Sequence, residues 1–203
     1  MPADGASFLE WAVAGAPLEA RTESGDLHVV AVVGASALVG AVDGLGHGPE
    51  AALAARVAAG VAGEHVGEPL ARVLEHCHEA LRGTRGAAMT LAAIDARAAE
   101  LRWLGVGNVE GMLVRADGAK PREAVQLRGG IVGFRLPALR ETLVSLRRGD
   151  MLVFATDGIL YEGARRADPS LPPADIARSI LDDSRKGDDD ALVLVARFTG
   201  PLP

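Results

Sequence analysis

Apolar residues in this chain fall into short blocks separated by polar and glycine-containing turns. LHVVAVV (27–33) and SALVGAV (36–42) are β-branched runs flanking Gly34-Ala35 and predict two consecutive strands. The period then changes. Residues 49–66 are alanine-rich with Pro49 at the start, which predicts a helix, since alanine favours helix and proline is tolerated in its first turn. Leu70, Val73, Leu74, Cys77 and Leu81 recur at three- and four-residue spacing and predict a second, amphipathic helix that ends at Gly83. Further strands are predicted at 88–95, 101–106, 111–114, 142–146 and 151–155, then a helix at 172–183 and an almost wholly apolar strand at 191–198.

Strands joined mainly by short turns, with helices clustered between strand blocks, imply an α+β fold with antiparallel sheets covered by helices. No repeat or long linker divides the chain. It is read as one domain over 1–203 with its core at about 20–198, and the tails before Pro17 and after Gly200 are read as dispensable. The weakly patterned stretch 120–140 reads either as a flap over the substrate or as a plain loop.

Composition narrows the function. With 49% hydrophobic and 24% charged residues the chain is globular, and with 3% aromatics its core is built from Val, Leu, Ile and Ala. A net charge of −6 and the scarcity of aromatics argue against nucleic acid as a partner. The single Cys77 excludes a disulfide framework and suits a reducing compartment. No signal peptide or membrane-length apolar run is evident, so a cytoplasmic location without membrane attachment is expected.

The candidate chemistry lies in aspartates at strand ends. Asp26 (SGD) precedes the first strand, Asp43 (VDGLGHG) follows the second, Asp157 (FATDG) follows the 151–155 strand, and Asp188-Asp189-Asp190 opens the last. Each Asp-Gly alone is an ordinary turn signal. Four strand ends meeting at one edge would instead concentrate carboxylates, which repel unless a cation neutralises them. Oxygen ligands of this kind suit Mg²⁺ or Mn²⁺. The glycine after each aspartate is expected to leave room for the ion, its waters and a substrate phosphate. Cys77 lies mid-helix on an apolar face and reads as core, not as a nucleophile.

VDGLGHG, GVGN (105–108), GGIVG (129–133), GDMLVFATDG (149–158) and DDDALVLV (188–195) occur in the order found in the PPM-type, metal-dependent serine/threonine protein phosphatases. The DGLGHG form resembles the SpoIIE-like branch, and the short chain is similar to stand-alone stressosome phosphatases of the RsbX type. The resemblance covers roughly residues 20 to 198. It implies a four-layer α/β/β/α sandwich with two divalent ions, Mn²⁺ in preference to Mg²⁺, at one edge. By motif, Asp43 would bridge both ions, the Gly44 carbonyl would ligate one, and Asp157 with Asp189 (Asp188 as the alternative) would hold the other. Asp26 would sit beside the pair. A metal-bridging hydroxide would attack phosphorus in line. The implied substrates are phosphoserine and phosphothreonine on STAS-domain proteins of a stressosome or anti-sigma pathway in bacterial stress signalling.

The chain departs from the family pattern in places. Leu45 stands where several members have histidine, and His47 follows two residues later, either touching metal-bound water or shaping the turn. Arg21, five residues before Asp26, is a candidate for binding substrate phosphate or else a solvated surface arginine. Two other readings stay open: a catalytically weak binding module with the same fold, and a hydrolase of small phosphate compounds.

Overall fold

The computed structural model describes residues 8–18, 23–117 and 122–200. Eleven strands and four helices follow in the order β1 (Leu9–Ala16), β2 (Asp26–Val33), β3 (Ser36–Gly44), α1 (Pro49–Glu64), α2 (Leu70–Ala80), β4 (Ala87–Asp95), β5 (Glu100–Val106), β6 (Glu110–Val114), β7 (Glu123–Ala124), β8 (Leu127–Arg128), β9 (Thr142–Ser145), β10 (Met151–Ala155), α3 (Tyr161–Ala164), α4 (Pro173–Ser184) and β11 (Ala191–Phe198). The strands form two sheets, ordered β1-β11-β10-β6-β7 and β2-β3-β4-β5-β8, with β9 also on β5. Pairing is antiparallel apart from β5 with β8. The expected four-layer architecture is therefore present.

Three apolar layers follow from strand alternation. Val39, Ala41, Trp103, Phe154, Leu192 and Leu194 fill the space between the sheets. Leu38, Val42, Met89 and Leu91 point the other way, against α1 and α2. Val153, Ala155, Val193 and Val195 pack against α3 and α4. Central strands buried on both faces read as continuous apolar runs, which is why they were visible in the sequence. The face of α1 turned to the sheet is alanine (Ala51, Ala54, Ala55, Ala58, Ala62), so its backbone lies close to β2 and β3.

One expectation fails. The stretch before Pro17 is not dispensable: Leu9–Ala16 forms β1, paired with β11 through eight consecutive residues, and Phe8 and Leu9 are buried between the sheets. LEWAVAGA is half small residues, and its outer face carries Trp11 and Val13, so its alternation is weak. The 120–140 stretch also carries structure where it is described. β7 and β8 edge the two sheets, and a turn bridged from Ile131 to Arg135 carries the exposed Phe134 at its tip.

Candidate active site

The sheet pairing sets the aspartates. Asp26 opens β2 and Asp43 is the penultimate residue of β3, and the antiparallel register places them directly opposite each other. Residues so paired point to the same face with Cβ atoms about 5 Å apart, where like charges repel. Asp157 follows β10, and Asp188, Asp189 and Asp190 precede β11; these two strands are neighbours. Six carboxylates thus gather at one edge of the sandwich.

Their electrostatics bear out the crowding. Burial, followed by repulsion from Asp26, Asp157, Asp189 and Asp190, pushes the Asp43 carboxyl up to about 8. Burial pushes Asp26 up to about 7 against the opposing hydrogen bond from Thr156, and Asp190, Asp157 and Asp189 add to the rise. Asp157 is raised by burial and then by Asp189, with Lys186 and Asn108 acting in the other direction. Protons or cations must offset this repulsion.

Several oxygens are already committed. The Thr156 hydroxyl donates to Asp26 Oδ2 at 2.6 Å and accepts the Leu192 N–H at 2.9 Å. Asn108 Nδ2 donates to Asp157 Oδ2 at 2.8 Å, and Lys186 Nζ donates to the Asp157 carbonyl at 2.6 Å. Asp189 Oδ1 accepts the Asp190 N–H at 2.8 Å. Among the described residues no hydrogen-bond donor reaches the Asp43 carboxylate. Asp43 therefore keeps both oxygens for a ligand, while Asp26, Asp157 and Asp189 each keep one.

Asp190 differs from its neighbours. Its buried carboxylate accepts the Gly25 N–H at 2.6 Å and the Leu18 N–H at 2.7 Å, so it holds the SGD turn in place. The turn in turn presents the Gly25 carbonyl to the Gly44 N–H at 2.9 Å. Asp190, Thr156 and Asn108 were not singled out in the sequence. All three lay within quoted motifs (GVGN, FATDG and DDDALVLV), but their roles arise from contacts across the fold.

The glycine expectation needs correction. A Cβ on Gly44 would strike the Ala51 carbonyl of α1, and a Cβ on Gly158 would strike the Asp190 carbonyl. The missing side chains admit protein backbone, not an ion with its waters. Close packing behind each aspartate is what brings the strand ends together.

His47 sits exposed in the turn after Asp43, and the structure gives it no contact with the carboxylates. Arg21 lies outside the described residues. Cys77 is buried, its Sγ donates to the Ala58 carbonyl at 3.5 Å, and burial pushes its thiol up to about 12. It is a core residue.

The donor set fits hard divalent cations, being all oxygen and strongly negative. Among the described residues no three of these carboxylates bring ligand atoms within 4.8 Å of one another. No helix among the described residues is long and apolar enough to cross a membrane.

Residues 34–199 match the family model described as Stage II sporulation protein E (SpoIIE). No curated protein sequence matches the chain. A structure solved in work on the bacterial stressosome, described as a modular system adapted to control secondary messenger signaling, is 31% identical. The likeness covers 93% of this chain and 99% of that one, with a TM-score of 0.85. RsbX in complex with magnesium is 17% identical over 93% of this chain and 94% of its own, with a TM-score of 0.79. The catalytic domain of the serine/threonine phosphatase PstP with two manganese ions is 18% identical over 93% and 97%, with a TM-score of 0.66. The last two likenesses concern the fold.

Proposed function

The chain belongs to the SpoIIE family of PP2C-type serine/threonine protein phosphatases, and from that premise we propose that its acidic edge hydrolyses phosphoserine and phosphothreonine on STAS-domain proteins of a stressosome or anti-sigma pathway. The observation that carries the catalytic part is the opposition of Asp26 and Asp43, with Asp157 and Asp189 beside them. The stressosome and RsbX likenesses support the substrate class.

In this reading Asp43, the Gly44 carbonyl, Asp157 and Asp189 hold two divalent ions, Mn²⁺ or Mg²⁺, with Asp26 alongside. When bound, the ions acidify water to supply the nucleophile and offset charge on the phosphoryl oxygens. The chain's own part is positioning. Thr156 fixes one Asp26 oxygen and leaves the other for a ligand. Asn108 does the same for Asp157. Asp190 fixes the turn that carries Asp26. Lys186 holds the Asp157 carbonyl and places a positive charge at the rim, where an anionic substrate arrives. His47, in the exposed turn after Asp43, would either touch metal-bound water or shape that turn. Asp189 is preferred to Asp188 as ligand because it is the less exposed of the two and stands beside Asp157.

The test is hydrolysis of an aryl phosphate with and without Mn²⁺ by the native chain and by Asp43→Asn. A phosphorylated STAS-domain protein is then compared with free phosphoserine. Mn²⁺-dependent turnover that falls at least a hundredfold in Asp43→Asn is expected, together with a strong preference for the protein substrate. Equal rates on free phosphoserine would favour the small-molecule hydrolase. Absence of turnover on both substrates would favour the binding module.

A further inference from the structure

We propose that His65, Glu68 and His76 form a second metal site, for a Zn²⁺-class ion, at the turn joining α1 to α2. His65 caps the C-terminus of α1, Glu68 lies in the turn and His76 lies on α2. Their ligand atoms all fall within 4.8 Å of one another, and among the described residues no other trio of His, Cys, Asp or Glu is so close. Glu68 Oε1 is 2.8 Å from His65 Nδ1, and Glu68 Oε2 is 3.4 Å from His76 Nε2. The two rings stack with centroids 4.0 Å apart and planes 10° apart, so both nitrogens face the same carboxylate.

The chemistry differs from that of the acidic edge. Two imidazoles and a carboxylate are the ligand types zinc prefers, whereas Mg²⁺ and Mn²⁺ sites are dominated by oxygen. Three protein ligands leave a fourth position for water. Parallel rings share no common in-plane point, so each ring swings about its Cβ–Cγ bond to aim its lone pair at one ion. The side chains of His65, Glu68 and His76 are 27%, 36% and 42% exposed in the order His65, His76, Glu68, which leaves them free to make that motion and the site open to exchange. The site is also remote. α1 begins just after Asp43 and its 16 residues span about 24 Å, with His65 at the far end. An ion there would pin the α1–α2 hairpin, whose inner face forms the layer under β2–β5.

The experiment uses the full chain with Asp43→Asn, in excess Mg²⁺, so that Zn²⁺ does not report on the acidic edge. Zn²⁺ is titrated and followed by equilibrium dialysis with elemental analysis. Co²⁺ in its place reports four-coordinate geometry by visible absorption. One equivalent of Zn²⁺ is expected, with affinity falling at least tenfold in His76→Gln and in His65→Gln, and the Co²⁺ bands lost in both. At a hundredfold excess over Kd the melting temperature should rise by about 5–10 °C, and not in the variants. Circular dichroism confirms that the variants fold, and in the native Asp43 background His76→Gln should leave Mn²⁺-dependent phosphatase activity unchanged. Unaltered Zn²⁺ binding in both histidine variants, or no binding below millimolar Zn²⁺, would overturn the site and leave a hydrogen-bonded triad.

Discussion

Thr156, just after β10, donates its hydroxyl to Asp26, at the start of β2, and so joins the two sheets at the acidic edge. The same oxygen accepts the Leu192 N–H, so one small side chain satisfies a carboxylate and a backbone donor together. Thr156→Val keeps the shape and removes both functions. It should cost about 1–3 kcal/mol of stability. It should also push the Asp26 carboxyl further up, because this hydrogen bond is what lowers it. Divalent-ion affinity should fall about tenfold, and Thr156→Ser should restore it. Calorimetric titration of Mn²⁺ checks this; equal affinity in Val and Ser variants would count against the role given to the hydroxyl.

The raised carboxyls predict an unusual pH dependence for the protein freed of divalent ions. In the unfolded chain Asp26 and Asp43 lose their protons near 3.8, whereas in the folded protein they hold them to about 7 and about 8. Between those limits the folded state binds more protons than the unfolded one, so stability falls as pH rises. Melting temperature in chelator should decline from pH 5 to pH 8. Millimolar Mg²⁺ or Mn²⁺ should flatten the decline by taking the place of the protons. A melting temperature in chelator that rises over this range would contradict the proposed burial and crowding.

Gly158→Ala tests the packing behind Asp157. The added methyl meets the Asp190 carbonyl, which belongs to backbone and cannot swing away. A loss of about 2–3 kcal/mol is expected, typical of overpacking. Activity should drop with it, since the same shift separates Asp157 from Asp189. Urea unfolding measures the first effect and aryl phosphate hydrolysis the second.

Deletion of residues 1–16 should abolish cooperative folding. It exposes one edge of β11 and removes Phe8 and Leu9 from the layer between the sheets. An unpaired central strand is also a template for aggregation. Size-exclusion chromatography and circular dichroism would reveal a folded monomer if β1 were optional.

The sequence made the central strands and α2 legible because their apolar patterns are strong, and α1 because of its alanine content and its leading proline. β3 and β11 are nearly continuous apolar runs, and α2 keeps a regular three-four spacing. Asp26, Asp43, Asp157 and Asp189 were visible because each interrupts or adjoins a strand. Partnerships across long separations were not. Thr156 and Asp26 are 130 residues apart, Asn108 and Asp157 are 49 apart, and Asp190 meets Gly25 across 165. No local pattern marks such pairs. The glycines misled for a related reason: a glycine shows that something approaches closely, but only the fold shows that the approaching groups are the backbones of Ala51 and Asp190. His65, Glu68 and His76 escaped notice because a helix end, a turn and a second helix bring them together.

The pairing of β1 with β11 also fixes where the chain can be extended. Leu9 stands opposite Phe198, and the Thr199 N–H reaches the Phe8 carbonyl at 2.9 Å. Ala16 and Ala191, at the other end of the ladder, adjoin the Asp190 junction. Eight paired residues separate the two ends by roughly 25 Å. Any module spliced on at Phe8 or after Gly200 would therefore share one doorway, on the side away from the carboxylates. Such a module would begin a full strand length from the carboxylates, so pulling on it would load the β1–β11 ribbon before it reached the acidic edge.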